Sequence, residues 1–168
     1  MDQGWKIISR TGQGRGNPVT GNSIFVVDDE EDVLELVKDL LEINRYKVWT
    51  FARAKDMTAA LREVLPDLIL LDIMMPEMNG YELCRYLKGS EKLRGIKVCF
   101  ISAKSSPEDI QKGREIGADD YIPKPFDNRT LLAKVKGLIG SAREDQAPKP
   151  RDAKPQPSVF STRMLNKT

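Results

Sequence analysis

The chain of 168 residues contains no histidine. Catalytic triads built on an imidazole base are thereby excluded, as are the common zinc sites. The protein cannot itself be a histidine phosphodonor. Only two cysteines occur, Cys84 and Cys99. That is too few for a disulfide framework, so a reducing cytoplasm is the expected setting and both thiols read as core fillers. No apolar run approaches the roughly 20 residues of a membrane span, and the N-terminal stretch lacks a signal-peptide core. Basic residues do not interleave with aromatics into a patch, which argues against direct nucleic-acid binding by the core.

What remains is the composition of a globular protein with room for one domain plus tails: 40% hydrophobic, 31% charged, net charge +2. The charge is unevenly spread. Residues 1–23 hold three basic and one acidic side chain, and residues 143–168 hold six and three, which leaves 18 basic and 21 acidic between them. The first 23 residues are rich in Gly, Asn, Thr and Arg and read as a flexible arm. Gly12-Gln13-Gly14 faintly resembles a phosphate loop, but no strand precedes it. Residues 143–168 turn polar and Pro-rich and read as a linker or C-terminal tail.

Between these tails, short apolar runs alternate with helical periodicities. Ile24 to Val27 is an apolar, β-prone run that stops at Asp28-Asp29. Val33, Leu36, Val37, Leu40 and Leu41 then fall at helical spacing, with Asn44 as the stop. Tyr46 to Phe51 reads as a second strand. Met57, Ala60, Leu61 and Val64 mark a second helix, ended by Pro66. Leu68 to Leu71 is a third strand running into Asp72. Asn79 can cap a third helix carrying Leu83, Tyr86 and Leu87. Ile96 to Ile101 is a fourth strand running into Ser102. Ser106-Pro107-Glu108-Asp109 is a strong helix start, and Gly117 ends that helix. Its apolar content is thin, chiefly Ile110 and Ile116, which predicts weak anchoring. Tyr121-Ile122 is a short fifth strand before Lys124-Pro125. Asp127 caps a last helix with Leu131, Val135, Leu138 and Ile139 inward. Five strand–helix units in residues 24–142, with strands apolar on both faces, predict an α/β fold with a doubly wound parallel sheet.

Each apolar strand thus delivers a reactive group to its carboxyl end, where ligands bind in open α/β sheets. Singly, a strand-end Asp is as well explained as a helix cap or solvated loop residue. Jointly, acid, acid, hydroxyl and amine at four strand ends point to a site. If strands one and three are neighbours, three carboxylates crowd one cleft, which is costly without a counter-charge. Magnesium suits such a cleft: Asp29 and Asp72 can ligate it, Asp28 can act through water, and the backbone carbonyl of Met74 can complete the set. With the charge neutralised, an Asp carboxylate can attack phosphorus and form an aspartyl phosphate. Lys124 offers a point charge to the phosphoryl oxygens, and the Ser102 hydroxyl can hydrogen-bond the same group.

The segments VVDDEEDV, LILLDIMMPEMNGYEL, FISAK and GADDYIPKPF closely resemble the receiver domain of two-component response regulators, across residues 24–142. The resemblance implies a flavodoxin-like, five-stranded parallel sheet of order 2-1-3-4-5. It implies Asp72 as phosphoacceptor, Asp28 and Asp29 as the acidic pair for magnesium, Ser102 as the hydroxyl residue, and Lys124 as the phosphate-contacting lysine. The Lys124–Pro125 bond is expected to be cis. Tyr121 matches the switch aromatic, which follows the hydroxyl residue inward on phosphorylation and remodels the surface of helix four, strand five and helix five. Met74 and Lys104 match positions that tune phosphoryl lifetime.

The implied function is a magnesium-dependent signalling switch rather than an enzyme, acting on itself alone as it gains and loses the phosphoryl group. The implied donor is a histidine kinase or phosphotransfer protein, and the output is a changed surface read by an effector, with no membrane involved. No output-domain motif follows the core, so the chain reads as a single-domain regulator or as the receiver part of a longer protein. GADDYIPKPF also resembles regulators that dimerise through helices four and five, although Thr130 and Lys134 replace that subgroup's Glu and Arg; a homodimer stays open. Two other classes compete with this reading. A haloacid-dehalogenase-type phosphatase needs an Asp two residues after its nucleophile, where this chain has Glu30 counting from Asp28. A degenerate receiver used only as a binding module is disfavoured by the complete set of site residues.

Overall fold

In a computed structural model, residues 22–146 are described. Most of the expected arm (residues 1–23) and tail (residues 143–168) lies outside the described residues. Ten elements follow in strict alternation: β1 (Ser23–Val27), α1 (Glu31–Ile43), β2 (Lys47–Phe51), α2 (Ala54–Ala60), β3 (Leu68–Leu71), α3 (Gly80–Gly89), β4 (Lys97–Ser102), α4 (Pro107–Ile116), β5 (Asp120–Pro123) and α5 (Asn128–Gln146). The strands form one parallel sheet of order β2-β1-β3-β4-β5. The doubly wound, flavodoxin-like expectation holds.

The central strands are buried on both faces because their apolar runs continue through successive positions, not alternate ones. All four residues of β3 are buried. Phe25, Val27, Ile69, Leu71, Val98 and Phe100 face one core with α2, α3 and α4. Ile24, Val26, Leu68, Leu70, Cys99 and Ile101 face the other with α1 and α5. Full burial of one such side chain is worth about 1.5–3 kcal/mol, so the two cores supply the main drive for folding.

Several helix ends follow their sequence signals. The Asn79 side chain accepts from the Tyr81 amide at 2.9 Å. Ser106 Oγ accepts from the Asp109 amide at 3.1 Å, with Pro107 in the first turn. Gly117 closes α4 at φ 103°, a left-handed conformation that glycine adopts without cost. Asp127 accepts from the Thr130 amide at 2.7 Å. The Lys124–Pro125 bond is cis, as expected.

The helical faces differ in part from expectation. In α1 the buried residues are Leu34, Val37 and Leu41, and Leu36 is exposed. The helix has more apolar residues than its buried stripe accommodates, Ile43 being exposed as well, and periodicity could not say which would be left out. Helix α2 ends at Ala60, four residues before Val64, which is exposed. Tyr86 of α3 is also exposed; the buried face runs through Tyr81, Leu83, Cys84 and Leu87. Tyr46 precedes β2 and is buried against the α1 side.

One glycine controls where Asp72 sits. The Gly80 amide donates to the Ile73 carbonyl at 2.9 Å, closing the loop from β3 to α3. A Cβ on Gly80 would stand 2.2 Å from the Asp72 carbonyl oxygen and 2.7 Å from Ile73 Cα, both backbone atoms. No side-chain rotation relieves that overlap. Gly80→Ala is therefore predicted to lower unfolding free energy by about 3 kcal/mol, measured as a reduced midpoint in urea with an unchanged slope.

Candidate functional site

Strand register builds the site. Val27 of β1 pairs with Leu71 of β3, so the next residues, Asp28 and Asp72, leave the sheet side by side. The Asp72 amide donates to the Val27 carbonyl at 2.9 Å and fixes that step. On the other flank Ser102 pairs with Pro123, and the Lys124 amide donates to the Ser102 carbonyl at 2.8 Å. Two carboxylates, a hydroxyl and an ammonium are thereby delivered by four adjacent strands.

Both carboxylates are buried, with Asp28 2% and Asp72 4% exposed. Lys124 Nζ reaches between them, 2.7 Å from Asp28 Oδ2 and 3.8 Å from Asp72 Oδ2. It also lies 3.0 Å from Glu30 Oε1. Asp28 Oδ1 accepts from the Glu30 amide at 3.0 Å, and Asp72 Oδ1 accepts from the Met74 amide at 3.3 Å. Asp29 is exposed at the rim, yet one oxygen from each of Asp28, Asp29 and Asp72 lies within 4.8 Å of the others. All these donors are carboxylate oxygens, which suits a hard divalent cation. The Met74 side chain is exposed while its amide abuts Asp72.

The electrostatics match that crowding. Burial, then the neighbouring Asp28 charge, pushes the Asp72 carboxyl up to about 6. Burial also raises the Asp28 carboxyl, against the opposing pull of Lys124 and the Glu30 amide. For Lys124, burial works against the charge, but hydrogen bonds to Asp28 and Glu30 outweigh it and hold the ammonium above its usual range. Two buried carboxylates thus share one half-buried ammonium, and the deficit of positive charge is what a bound cation would relieve.

Ser102 is fully buried, and its Oγ accepts from the Lys104 amide at 3.2 Å. Tyr121 is 8% exposed, its ring packed inward and its hydroxyl donating to the Lys104 carbonyl. The loop after β4 therefore joins the hydroxyl residue to the aromatic one.

Every residue picked out from the sequence lies at or beside this one end of the sheet. Glu30 was missed as a partner of Lys124. The run of five acids from Asp28 to Asp32 was its signal. Tyr81 was missed too, since a tyrosine at a helix start reads as ordinary core.

In metal-free buffer the Asp72 charge should weaken the fold. Folding raises the carboxyl above its ordinary value, so the folded state favours the proton. The cost of ionisation is then absent below about pH 4 and fully present above about pH 6. Asp72→Asn is predicted to stabilise the protein by roughly 1–3 kcal/mol at pH 7–8. The gain should shrink as pH falls through 6 and vanish near 4, measured by urea unfolding across that range.

Known proteins share this fold. The family model for the response regulator receiver domain matches residues 24–136. The transcriptional regulatory protein GltR of Pseudomonas aeruginosa is 36% identical over 126 residues, covering 75% of this chain and 52% of GltR. The phosphate regulon transcriptional regulatory protein PhoB of the same organism is 37% identical over 121 residues, covering 72% and 53%. The chain thus spans about half the length of these curated relatives. Among solved structures, a CheY-like receiver domain protein from Methanospirillum hungatei superposes with a TM-score of 0.70 at 30% identity, covering 75% of this chain and 99% of that one. The alternation of elements, the strand order and the extent of the match leave one assignment: this chain belongs to the response regulator receiver domain family of two-component systems.

Proposed function

We propose that Asp72 accepts a phosphoryl group from a phosphohistidine on a histidine kinase or phosphotransfer protein, in a magnesium-dependent reaction in the cytoplasm. The observation that carries this reading is the buried Asp72 carboxylate, held 3.8 Å from Lys124 and within 4.8 Å of Asp28 and Asp29 oxygens. In the transfer, an Asp72 oxygen attacks phosphorus, the P–N bond of the donor breaks, and the imidazole departs with its electron pair. Asp28, Asp29, Asp72 and the Met74 carbonyl would hold the magnesium, which supplies charge neutralisation for the phosphoryl oxygens. Lys124 then leaves Glu30 and Asp28 to pair with a phosphoryl oxygen. The Ser102 hydroxyl turns to the same group.

The output follows from what Ser102 and Tyr121 touch. Both meet the Lys104 backbone, so a moved Ser102 disturbs the Tyr121 contact and the adjoining α4–β5–α5 surface. Helix α4 buries only Gly113 fully, which makes it easily biased. That surface would control an effector, whether joined to the receiver or separate. Residues 24–142 serve as the receiver unit, with residues 1–23 as an N-terminal arm and residues 143–168 as a linker or C-terminal tail. Self-association through α4 and α5 would have to work with Lys134 already bound to Asp120 at 2.6 Å in the same chain. The relatives are transcriptional response regulators, so a switch rather than a turnover enzyme is the fitting class.

With magnesium and a small phosphodonor such as acetyl phosphate, the chain should incorporate one phosphoryl group. Asp72→Ala or a chelator should reduce labelling by at least about tenfold, the lower end of what metal and nucleophile loss remove. Label retained by Asp72→Ala, read by intact mass, would sink the assignment. Lys124→Ala should still be labelled but show no change in α4 amide signals.

A further inference from the structure

We propose that Glu30 is a positioning residue for the phosphoryl group: its carboxylate draws the Lys124 ammonium to the β1 side of the cleft, so a phosphoryl group on Asp72 must win the lysine from it. The inference rests on the reading of Asp72 and Lys124 given above. It adds the residue that sets how strongly Lys124 can hold the phosphoryl group.

Glu30 directly follows Asp28 and Asp29 and is the N-cap of α1. Local bonds fix its backbone on both sides. The amide donates to Asp28 Oδ1 at 3.0 Å, and the carbonyl accepts from the Val33 and Leu34 amides, each at 3.1 Å. The side chain makes no capping bond to the helix it begins. Shorter side chains such as Asp, Asn, Ser and Thr are the ones that fold back onto helix amides. Instead Glu30 Oε1 accepts from Lys124 Nζ at 3.0 Å, across 94 residues of sequence. A residue without a helix-capping task thus spends its carboxylate on the site lysine.

Lys124 is shared unequally. An ammonium has three protons to donate. Asp28 Oδ2 accepts one at 2.7 Å and Glu30 Oε1 another at 3.0 Å. Asp72 Oδ2, at 3.8 Å, is beyond hydrogen-bond reach. Both close partners lie between β1 and α1, whereas Asp72 stands at the end of β3. The ammonium is therefore drawn off the residue whose product it has to hold. A cation would affect the two close partners differently. Asp28 is one of the three carboxylates whose oxygens converge, so a bound cation would draw on it. Glu30 stands outside that group and keeps its claim on the lysine.

The competition takes two forms of the same sign. To come within hydrogen-bond distance of a group on Asp72, Nζ must stretch or leave its bond to Glu30. If it stays, the Glu30 charge offsets part of its own, and its attraction for a phosphoryl oxygen falls. Neither form depends on where the ring of Tyr121 lies. The Glu30 side chain is 62% exposed, so solvent screens the pair. Its effect is then that of a surface ion pair, at most about fivefold in an equilibrium constant.

The test compares the full chain with Glu30→Gln, Glu30→Asp and Glu31→Gln. Glutamine removes the charge. Aspartate keeps it but is one methylene shorter, which takes its oxygens out of reach of Nζ and lets them cap α1 instead. Glu31→Gln removes an exposed charge one residue on and serves as control. With magnesium saturating for each protein, beryllofluoride should bind about threefold more tightly to both Glu30 variants, and with parental affinity to Glu31→Gln. Equal affinity throughout, or weaker binding by the Glu30 variants, would overturn the proposal. Tighter binding by Glu30→Gln but not Glu30→Asp, or an equal gain in Glu31→Gln, would make bulk charge the cause and overturn it too. The second readout needs neither metal nor ligand. Urea unfolding of the parent, Glu30→Gln, Lys124→Gln and the double variant measures the coupling between the two side chains. The unfolding constants should depart from additivity by about threefold, and additive effects would refute the contact. If Lys124→Gln does not fold, the beryllofluoride series decides alone. Binding by none of the proteins, the parent included, would instead refute the phosphoacceptor reading, while the unfolding cycle still judges Glu30.

Discussion

Lys124 Nζ stands between Asp28 and Asp72, at 2.7 and 3.8 Å, where four parallel strands end. Its charge is what lets two buried carboxylates share one cleft. The arrangement is still unbalanced: burial lifts both carboxyls above their ordinary values, and with the Asp28 charge beside it Asp72 reaches about 6. A hydrophobic sheet could have buried neutral residues there at far lower cost. The cost is sustained because β1 and β3 are fixed by apolar burial on both faces, so the strand ends cannot drift apart to relieve it.

The same rigidity divides the molecule into parts that hold and parts that yield. The sheet and its flanking helices α1, α3 and α5 bury several large apolar side chains each. Helix α4 buries fully only a glycine. Its place is set by polar and edge contacts: the Tyr81 hydroxyl on Asp109, Lys112 over the Tyr81 ring, and Gly113 against Phe100 and Tyr121. Such contacts are individually small, so a charge change at Asp72 is large enough to compete with them. At the other end of the helix, Asp119 pairs with Lys88 at 2.8 Å and accepts from the Val98 amide at 2.9 Å. That end is pinned to α3 and β4, while the first turn is held to α3 through the Tyr81 hydroxyl.

Much of this was legible from the residues. Runs such as Leu68 to Leu71 announced two-sided burial because no polar residue interrupts them. Asn79, Ser106 and Asp127 announced helix starts because their side chains accept from amides two or three residues on. Helical faces were less legible. Leu36 and Tyr86 fit the spacing yet are exposed, since an apolar stripe fixes a helix's orientation only to within about one residue and the neighbours decide the remainder. Val64 misled for a different reason: α2 gives way to turns after Ala60, and the intrinsic pattern could not register that loss.

Sequence by itself determined which chemical groups reach the strand ends and that they would be held by a parallel sheet covered on both faces. Local pattern encodes that information, because burial demands apolar runs and the residue that breaks a run must sit at its edge. Tertiary structure decided who meets whom. Lys124 and Asp28 are 96 residues apart, and only the strand order and the Val27–Leu71 register bring them to 2.7 Å. Glu30 as a further partner of that lysine, and Tyr81 as a grip on α4, emerged for the same reason. A side chain's environment can be read from its neighbours in sequence, but its partners depend on how the sheet is wound.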